Sequence, residues 1–207
     1  MSQSRNKQQL YLALGDSYTI GESVPESARW PVQLADSLRK KGIAIAGPKI
    51  IATTGWRTDD LKHAMLAANL KNEYQLVSLL IGVNNQYQGK PPTEYAAEFE
   101  ELLIWSIRLA EGNKDNVFVV SIPDYGFTPF GKPKKETISA ALDEFNAIAK
   151  KITEKHGVTF VNITDISREA IVSPDLVAPD DLHPSGKMYA LWVELIKQKV
   201  YALISKP

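Results

Sequence analysis

Along this chain, apolar runs of strand length alternate with longer stretches in which apolar residues recur every three or four positions, and no other feature limits its architecture so tightly. A strand followed by a helical crossover lies in a parallel sheet covered on both faces, so it reads as a continuous apolar run. The runs fall at residues 10–14, 49–53, 75–81, 117–122 and 159–163, and the helical stretches at 30–41, 58–70, 93–111, 136–156 and 184–205. The expected fold class is α/β, with parallel strands between helices on both faces. Local signals mark some of the ends. Thr58 is a candidate N-cap followed by Asp59 and Asp60, which suit the positive end of a helix dipole, and Gly157 suits a helix stop. Met188, Leu191, Trp192, Leu195 and Ile196 give the last helix an apolar face for the sheet.

With 207 residues, 44% of them hydrophobic, the chain can form one sizeable core and is short for two. It reads as a single domain over 1–207, with residues 1–8 as a flexible tail and no repeat or linker. Lys plus Arg and Asp plus Glu both number 24, so no net field favours a polyanion or an anionic membrane. A small substrate fits this balance better than nucleic acid. Cysteine is absent, which removes disulfides, thiolate metal sites and cysteine nucleophiles. Residues 1–9 are polar, and no apolar run approaches the roughly 20 residues of a bilayer span. The expected location is cytoplasmic.

All strands of a parallel sheet point one way, so the loops that follow them open on one rim, where ligands of open α/β sheets bind. Gly15-Asp16-Ser17-Tyr18 follows the first run, Thr54-Gly55 the second and Gly82-Val83-Asn84-Asn85 the third. Asp180-Asp181-Leu182-His183-Pro184 closes a longer excursion after the fifth. After the fourth run comes an irregular stretch, 121–135, with three prolines, two glycines and the aromatics Tyr125, Phe127 and Phe130. A loop this long in a compact domain is more often functional than idle.

In this order, the four segments resemble the blocks of the SGNH, or GDSL, hydrolase family, and the resemblance spans nearly the whole chain. It implies a flavodoxin-like, three-layer α/β/α fold with a five-stranded parallel sheet. It also implies esterase, lipase or carbohydrate-deacetylase activity without a cofactor. Ser17 matches the family's nucleophile, Gly55 and Asn84 its oxyanion donors, and Asp180 and His183 its Asp-x-x-His pair. Two positions depart from the pattern. Asn85 stands where the third block commonly carries Asp, and bulky Trp56 and Arg57 follow Gly55 where smaller residues are usual.

The chemistry also needs these residue types. A serine hydroxyl needs a base within hydrogen-bond reach, and His183 is the one histidine on the rim. A carboxylate three residues earlier, Asp180, can accept the other imidazole N–H and hold one tautomer; Asp181 lacks that spacing. The tetrahedral intermediate needs donors for its oxyanion, which the Ser17 and Gly55 N–H groups and the Asn84 amide can supply. Pro184 fits the first turn of the final helix.

Structural readings stand beside these. Ser17 can cap a turn, Asp180, Asp181 and Asn84 can be turn formers, and Gly55 can serve only a positive φ. Asn85 is a turn former or a brace for the loop. His63 and His156 read as surface residues, and three scattered histidines make no metal motif. Tyr18 and Trp56 are candidates for a pocket wall. Tyr125, Phe127 and Phe130 line a pocket or fold into a satellite core. The stretch 21–26 reads as a solvated loop.

The expected function is a serine hydrolase acting on small carboxylic esters through an acyl-enzyme, with no cofactor or metal. Short acyl or acetyl groups are favoured because no lid-like apolar segment stands out. The same site would make a transferase if the acyl acceptor were not water. Two other classes compete: a non-catalytic ligand-binding module on the same scaffold, and a phosphate or receiver-type module with Asp16 as its acid. The last lacks a glycine-rich phosphate cradle and leaves His183 without a role. No signal in the sequence speaks to oligomeric state.

Overall fold

The computed structural model describes residues 8–204. The expected tail therefore lies, apart from residue 8, outside the described residues. Five strands, β1 (Tyr11–Gly15), β2 (Lys49–Ala52), β3 (Leu76–Leu80), β4 (Val117–Val120) and β5 (Thr159–Val161), form one sheet. Its order is β2-β1-β3-β4-β5, and every neighbouring pair is parallel. All residues of β1 and β3 are buried, as the unbroken apolar runs require, whereas the edge strands β2 and β5 are partly exposed and tolerate Lys49 and Thr159.

Eight α-helices accompany the strands among the described residues: α1 (Ser17–Ile20), α2 (Trp30–Lys40), α3 (Thr58–Ala67), α4 (Val83–Tyr87), α5 (Pro92–Leu109), α6 (Lys135–Lys155), α7 (Thr164–Arg168) and α8 (Gly186–Ile204). The crossover from β1 to β2 runs opposite in direction to those from β2 to β3, β3 to β4 and β4 to β5. Right-handed crossovers therefore put α2 on one face and α3, α5 and α6 on the other. The packing agrees: α2 lies against α8, while α5 lies against both α3 and α6. Trp30 of α2 meets Phe118 of β4 edge-on at 6.3 Å, and Tyr95 of α5 stacks on Phe145 of α6 at 4.7 Å between centroids. The result is the three-layer α/β/α sandwich.

Each long helix starts and stops within a few residues of its expected bounds, and the differences have local causes. Thr58 is the first residue of α3 rather than its N-cap; Arg57 takes that place, and its N–H donates to Asp60 at 3.0 Å. Pro184 stands outside α8, in an antiparallel bridge with Val177. Ser185, the residue before α8, caps the helix instead, its Oγ accepting the Met188 N–H at 3.3 Å. On α8 the wholly buried side is Met188, Tyr189, Trp192, Val193, Ile196 and Val200, with Leu191 and Leu195 only half-buried at its margin. Residue 205 lies outside the described residues. The short helices α1, α4 and α7 follow β1, β3 and β5 directly, and two of them carry the polar segments of the rim.

The chain leaves β1 toward β2 and leaves β3 toward β4, so the loops after these adjacent strands diverge and open a crevice at their carboxyl ends.

Candidate active site

On one side of that crevice, β1 ends at Gly15, where a Cβ would lie 2.2 Å from Thr19 Oγ1 and 2.5 Å from the Leu80 carbonyl. Only glycine lets the chain turn this tightly. Asp16 then caps α1 by accepting the Tyr18 N–H at 3.0 Å, and Gly21, at φ 72°, closes the single turn. Ser17 is thereby held at the first helical position, 5% exposed, where its N–H has no acceptor inside the helix. Burial pushes the Asp16 carboxyl up to about 7 against the opposing pull of the Tyr18 N–H.

Gly55 lies beyond β2 at φ 86°, and the next carbonyl, Trp56 O, accepts the Asn84 side-chain amide at 2.9 Å. This bond orients Asn84 and uses one of its two amide hydrogens. Asn84 is placed by Gly82, whose φ of 130° turns the chain from β3 into α4 and where a Cβ would lie 2.5 Å from the Tyr95 ring. Asn85 is buried and braces α3: its Oδ1 accepts the Thr58 N–H at 3.1 Å and its Nδ2 donates to Thr58 Oγ1 at 2.6 Å.

Across the crevice, Asp180 and His183 share a turn shaped by Asp181 at φ 64°. Asp180 Oδ1 accepts the backbone N–H groups of Leu182 and His183 at 3.0 and 2.9 Å. Its Oδ2 takes His183 Nδ1 at 2.6 Å and the Ser23 hydroxyl at 2.5 Å. Burial acts to raise the Asp180 carboxyl, but the hydrogen bonds from Ser23, His183 and Leu182 outweigh it and hold the group well below the usual carboxylate range. With Nδ1–H donating to that carboxylate, Nε2 keeps its lone pair. The imidazole is 8% exposed, and the Tyr18 ring lies 5.7 Å from it.

Ser17 and His183 line one cavity of about 180 Å³ together with Tyr18, Thr54, Gly55, Val83, Asn84, Tyr87, Tyr125, Phe130 and Leu182. Tyr87, Tyr125 and Phe130 form an aromatic triangle with centroids 6.2 to 6.5 Å apart. Two expected wall residues lie elsewhere. Trp56 packs its ring against the core and offers the site only its carbonyl. Phe127 sits beneath Lys135 and Arg168, with the cations 5.2 and 5.8 Å from its ring. Thr54, Val83, Tyr87 and Leu182 were not singled out for the wall from sequence; Tyr87, one helical turn after Asn84, had the spacing to share its side. The stretch 21–26 is more than a solvated loop, since Glu22 accepts from the Thr54 hydroxyl and Ser23 from its own side reaches Asp180. His63 is exposed, and His156 pairs with Glu100 at 2.6 Å, far from this crevice. A larger open depression of about 480 Å³, lined among others by Asn146, Lys150, Arg168 and Lys199, holds none of the rim residues.

A parallel sheet of this order, with a serine and an Asp-paired histidine on one cavity at its carboxyl rim, defines the three-layer hydrolase class. The chain matches the GDSL-like lipase/acylhydrolase family over residues 13–191 and belongs to it. No curated protein matches it. Among solved structures, that of TesA has a TM-score of 0.74 at 16% identity, covering 94% of this chain and 99% of its own. The psychrotrophic esterase EstA from Pseudoalteromonas sp., in a structure inhibited by monoethylphosphonate, has a TM-score of 0.70 at 18% identity and covers 96% and 100%. Axe2, an acetylxylan esterase from Geobacillus stearothermophilus, has 0.65 at 19% and covers 96% and 95%. At these identities the likeness establishes the fold. No helix among the described residues is long and apolar enough to cross a membrane.

Proposed function

We propose that the chain hydrolyses small carboxylic esters through an acyl-enzyme, with Ser17 as nucleophile, His183 as base and Asp180 as its orienting partner. The observation that carries this reading is the Asp180–His183 bond of 2.6 Å on the same cavity wall as Ser17. His183 Nε2 takes the Ser17 hydroxyl proton as Oγ bonds to the ester carbonyl carbon. The carbonyl oxygen becomes an oxyanion and accepts hydrogen bonds from the Ser17 and Gly55 N–H groups and the free amide hydrogen of Asn84. Collapse of the intermediate breaks the bond to the alkoxy oxygen, which leaves with the proton from His183. Water, deprotonated by His183, then attacks the acyl carbon, and the acid departs as Ser17 regains its hydrogen.

The mostly apolar cavity of about 180 Å³, walled by Val83, Leu182 and the aromatic triangle, supports short acyl groups. Esterase names among the similar structures, an acetylxylan esterase included, support ester substrates of that size. Hydrolysis of p-nitrophenyl esters from acetyl to octanoyl tests the reading, with Ser17→Ala assayed in parallel. Turnover greatest for the short esters and lost in the variant is the expected result. Turnover that survives in Ser17→Ala would remove Ser17 from the mechanism.

A further inference from the structure

Four non-glycine residues adopt a positive φ among the described residues: Ser23 at 64°, Asn69 at 45°, Glu111 at 57° and Asp181 at 64°. Asn69 and Glu111 each stand two residues past a helix end, α3 and α5, where a left-handed residue commonly closes the helix. Ser23 and Asp181 have no such explanation, and both adjoin Asp180. Asp181 follows it in the chain. Ser23 meets it from 157 residues away, and its hydroxyl donates to Asp180 Oδ2 at 2.5 Å. Backbone held in a sparsely populated region at two residues on one carboxylate points to a constraint placed on that carboxylate.

We propose that Ser23 is a positioning residue of the active site: its left-handed backbone aims its hydroxyl at Asp180 Oδ2, which it shares with the His183 imidazole. The proposal rests on the reading of Asp180 and His183 given above. Asp180 accepts four hydrogen bonds, two on each oxygen, and the four acceptor positions of a carboxylate are thereby filled. Three of the donors come from the Asp-x-x-His turn itself. Ser23 alone comes from the element that carries the nucleophile, since it lies three residues beyond the end of α1. The neighbouring Glu22 accepts from Thr54, beside Gly55, so this short segment ties the carboxylate to the oxyanion loop as well.

The hydroxyl divides the charge of Oδ2 between two donors. Without it, Oδ2 faces the imidazole alone, the imidazolium is better stabilised, and the His183 pKa rises. The other charged and titratable groups nearby stay in place: Tyr18 packs on the imidazole, Asp181 is next in the turn, and Asp16, Glu22 and Arg29 act electrostatically, as Asp180 does, on the buried Tyr189.

The test is an NMR titration of His183, with His63 and His156 as internal references, in wild type and Ser23→Gly. Glycine accepts the positive φ without strain and removes only the hydroxymethyl group of an exposed residue; Ser23→Ala is the second variant. The expected result is that the His183 titration midpoint moves upward in Ser23→Gly relative to wild type, while those of His63 and His156 stay put. In an Asp180→Asn background the same substitution should leave His183 unmoved. Unchanged His183 titration in both Ser23 variants, with or without a fall in Tm, would make Ser23 merely structural and overturn the proposal. The titration needs no substrate, so its failure is separate from failure of the esterase reading, which the Ser17→Ala assay reports.

Discussion

At Asp16, one residue before the proposed nucleophile, a carboxylate is wholly buried and its Oδ2 has no hydrogen-bond partner among the described residues. With the folded-state value pushed up to about 7, the folded protein holds a proton that the unfolded chain, near 3.9, has released. Its stabilising contribution is full below about pH 4 and is lost as pH rises through 7. Asp16→Asn keeps an acceptor for the Tyr18 N–H and cannot ionise. Its Tm should exceed that of wild type by a margin that widens from pH 4 to pH 7 by at least ~2 °C, about 1 kcal/mol. A margin independent of pH would contradict the assignment. Asp180 has the opposite sign: its depressed value lends stability that is complete above about pH 4 and declines on acidification until the folded-state carboxylate is itself protonated, so Asp180→Asn should destabilise more at pH 7 than at pH 3. At Asn84, alanine removes the proposed oxyanion donor together with the bond to Trp56 O. Turnover should fall by ~10² to 10³ with the far-UV spectrum unchanged, and a smaller loss would take Asn84 out of the oxyanion hole.

Among the elements, α4 shows why this chain departs from its family's usual third block. Asn85 donates to Thr58 Oγ1, and that hydroxyl in turn donates to Glu98 of α5. An aspartate at 85 has no hydrogen to give, so the Thr58 hydroxyl would face two carboxylates with one proton. Asn85→Asp should therefore cost about 1–3 kcal/mol in denaturant unfolding, and Glu98→Gln should restore much of it by supplying an amide donor. No restoration would show that the two positions are uncoupled. The same element marks a limit of the sequence. Strands β1 to β5 could be read as continuous apolar runs, and helices α2, α3, α5, α6 and α8 because each is long enough to display its period. Helices α1, α4 and α7 have four or five residues, little more than one turn, and no period can be seen in so short a span. The brace at Asn85 was an open alternative for the same reason, because its partner Thr58 lies in another element.

In the whole molecule, strand direction made the site legible. Once the sheet is parallel, the loops holding Ser17, Gly55, Asn84 and the Asp180–His183 pair must share a rim, whatever the details of each loop. Their convergence on one cavity follows from topology more than from any single motif. The aromatic stretch was not legible, because the phase of a 3₁₀ turn decides which ring turns inward. That turn, Tyr125–Phe127, puts Tyr125 on the cavity and Phe127 under Lys135 and Arg168. Phe130 reaches the cavity through its N–H bond of 3.0 Å to the Asp181 carbonyl, a contact between distant loops. Phe130 is 50% exposed at the cavity mouth, so Phe130→Ala should widen the pocket with little effect on Tm and raise octanoyl relative to acetyl ester turnover several-fold. An unchanged chain-length profile would move the acyl group elsewhere.

The central claim is that Ser17 is a nucleophile activated by His183. The most direct measurement is covalent trapping with an activated phosphonate ester, followed by peptide mass spectrometry of wild type, Ser17→Ala and His183→Ala. One phosphonyl adduct on Ser17 in wild type, none in Ser17→Ala and labelling slowed by at least ~10² in His183→Ala is the predicted result. An adduct on another residue, or labelling of Ser17 at the wild-type rate without His183, would contradict it.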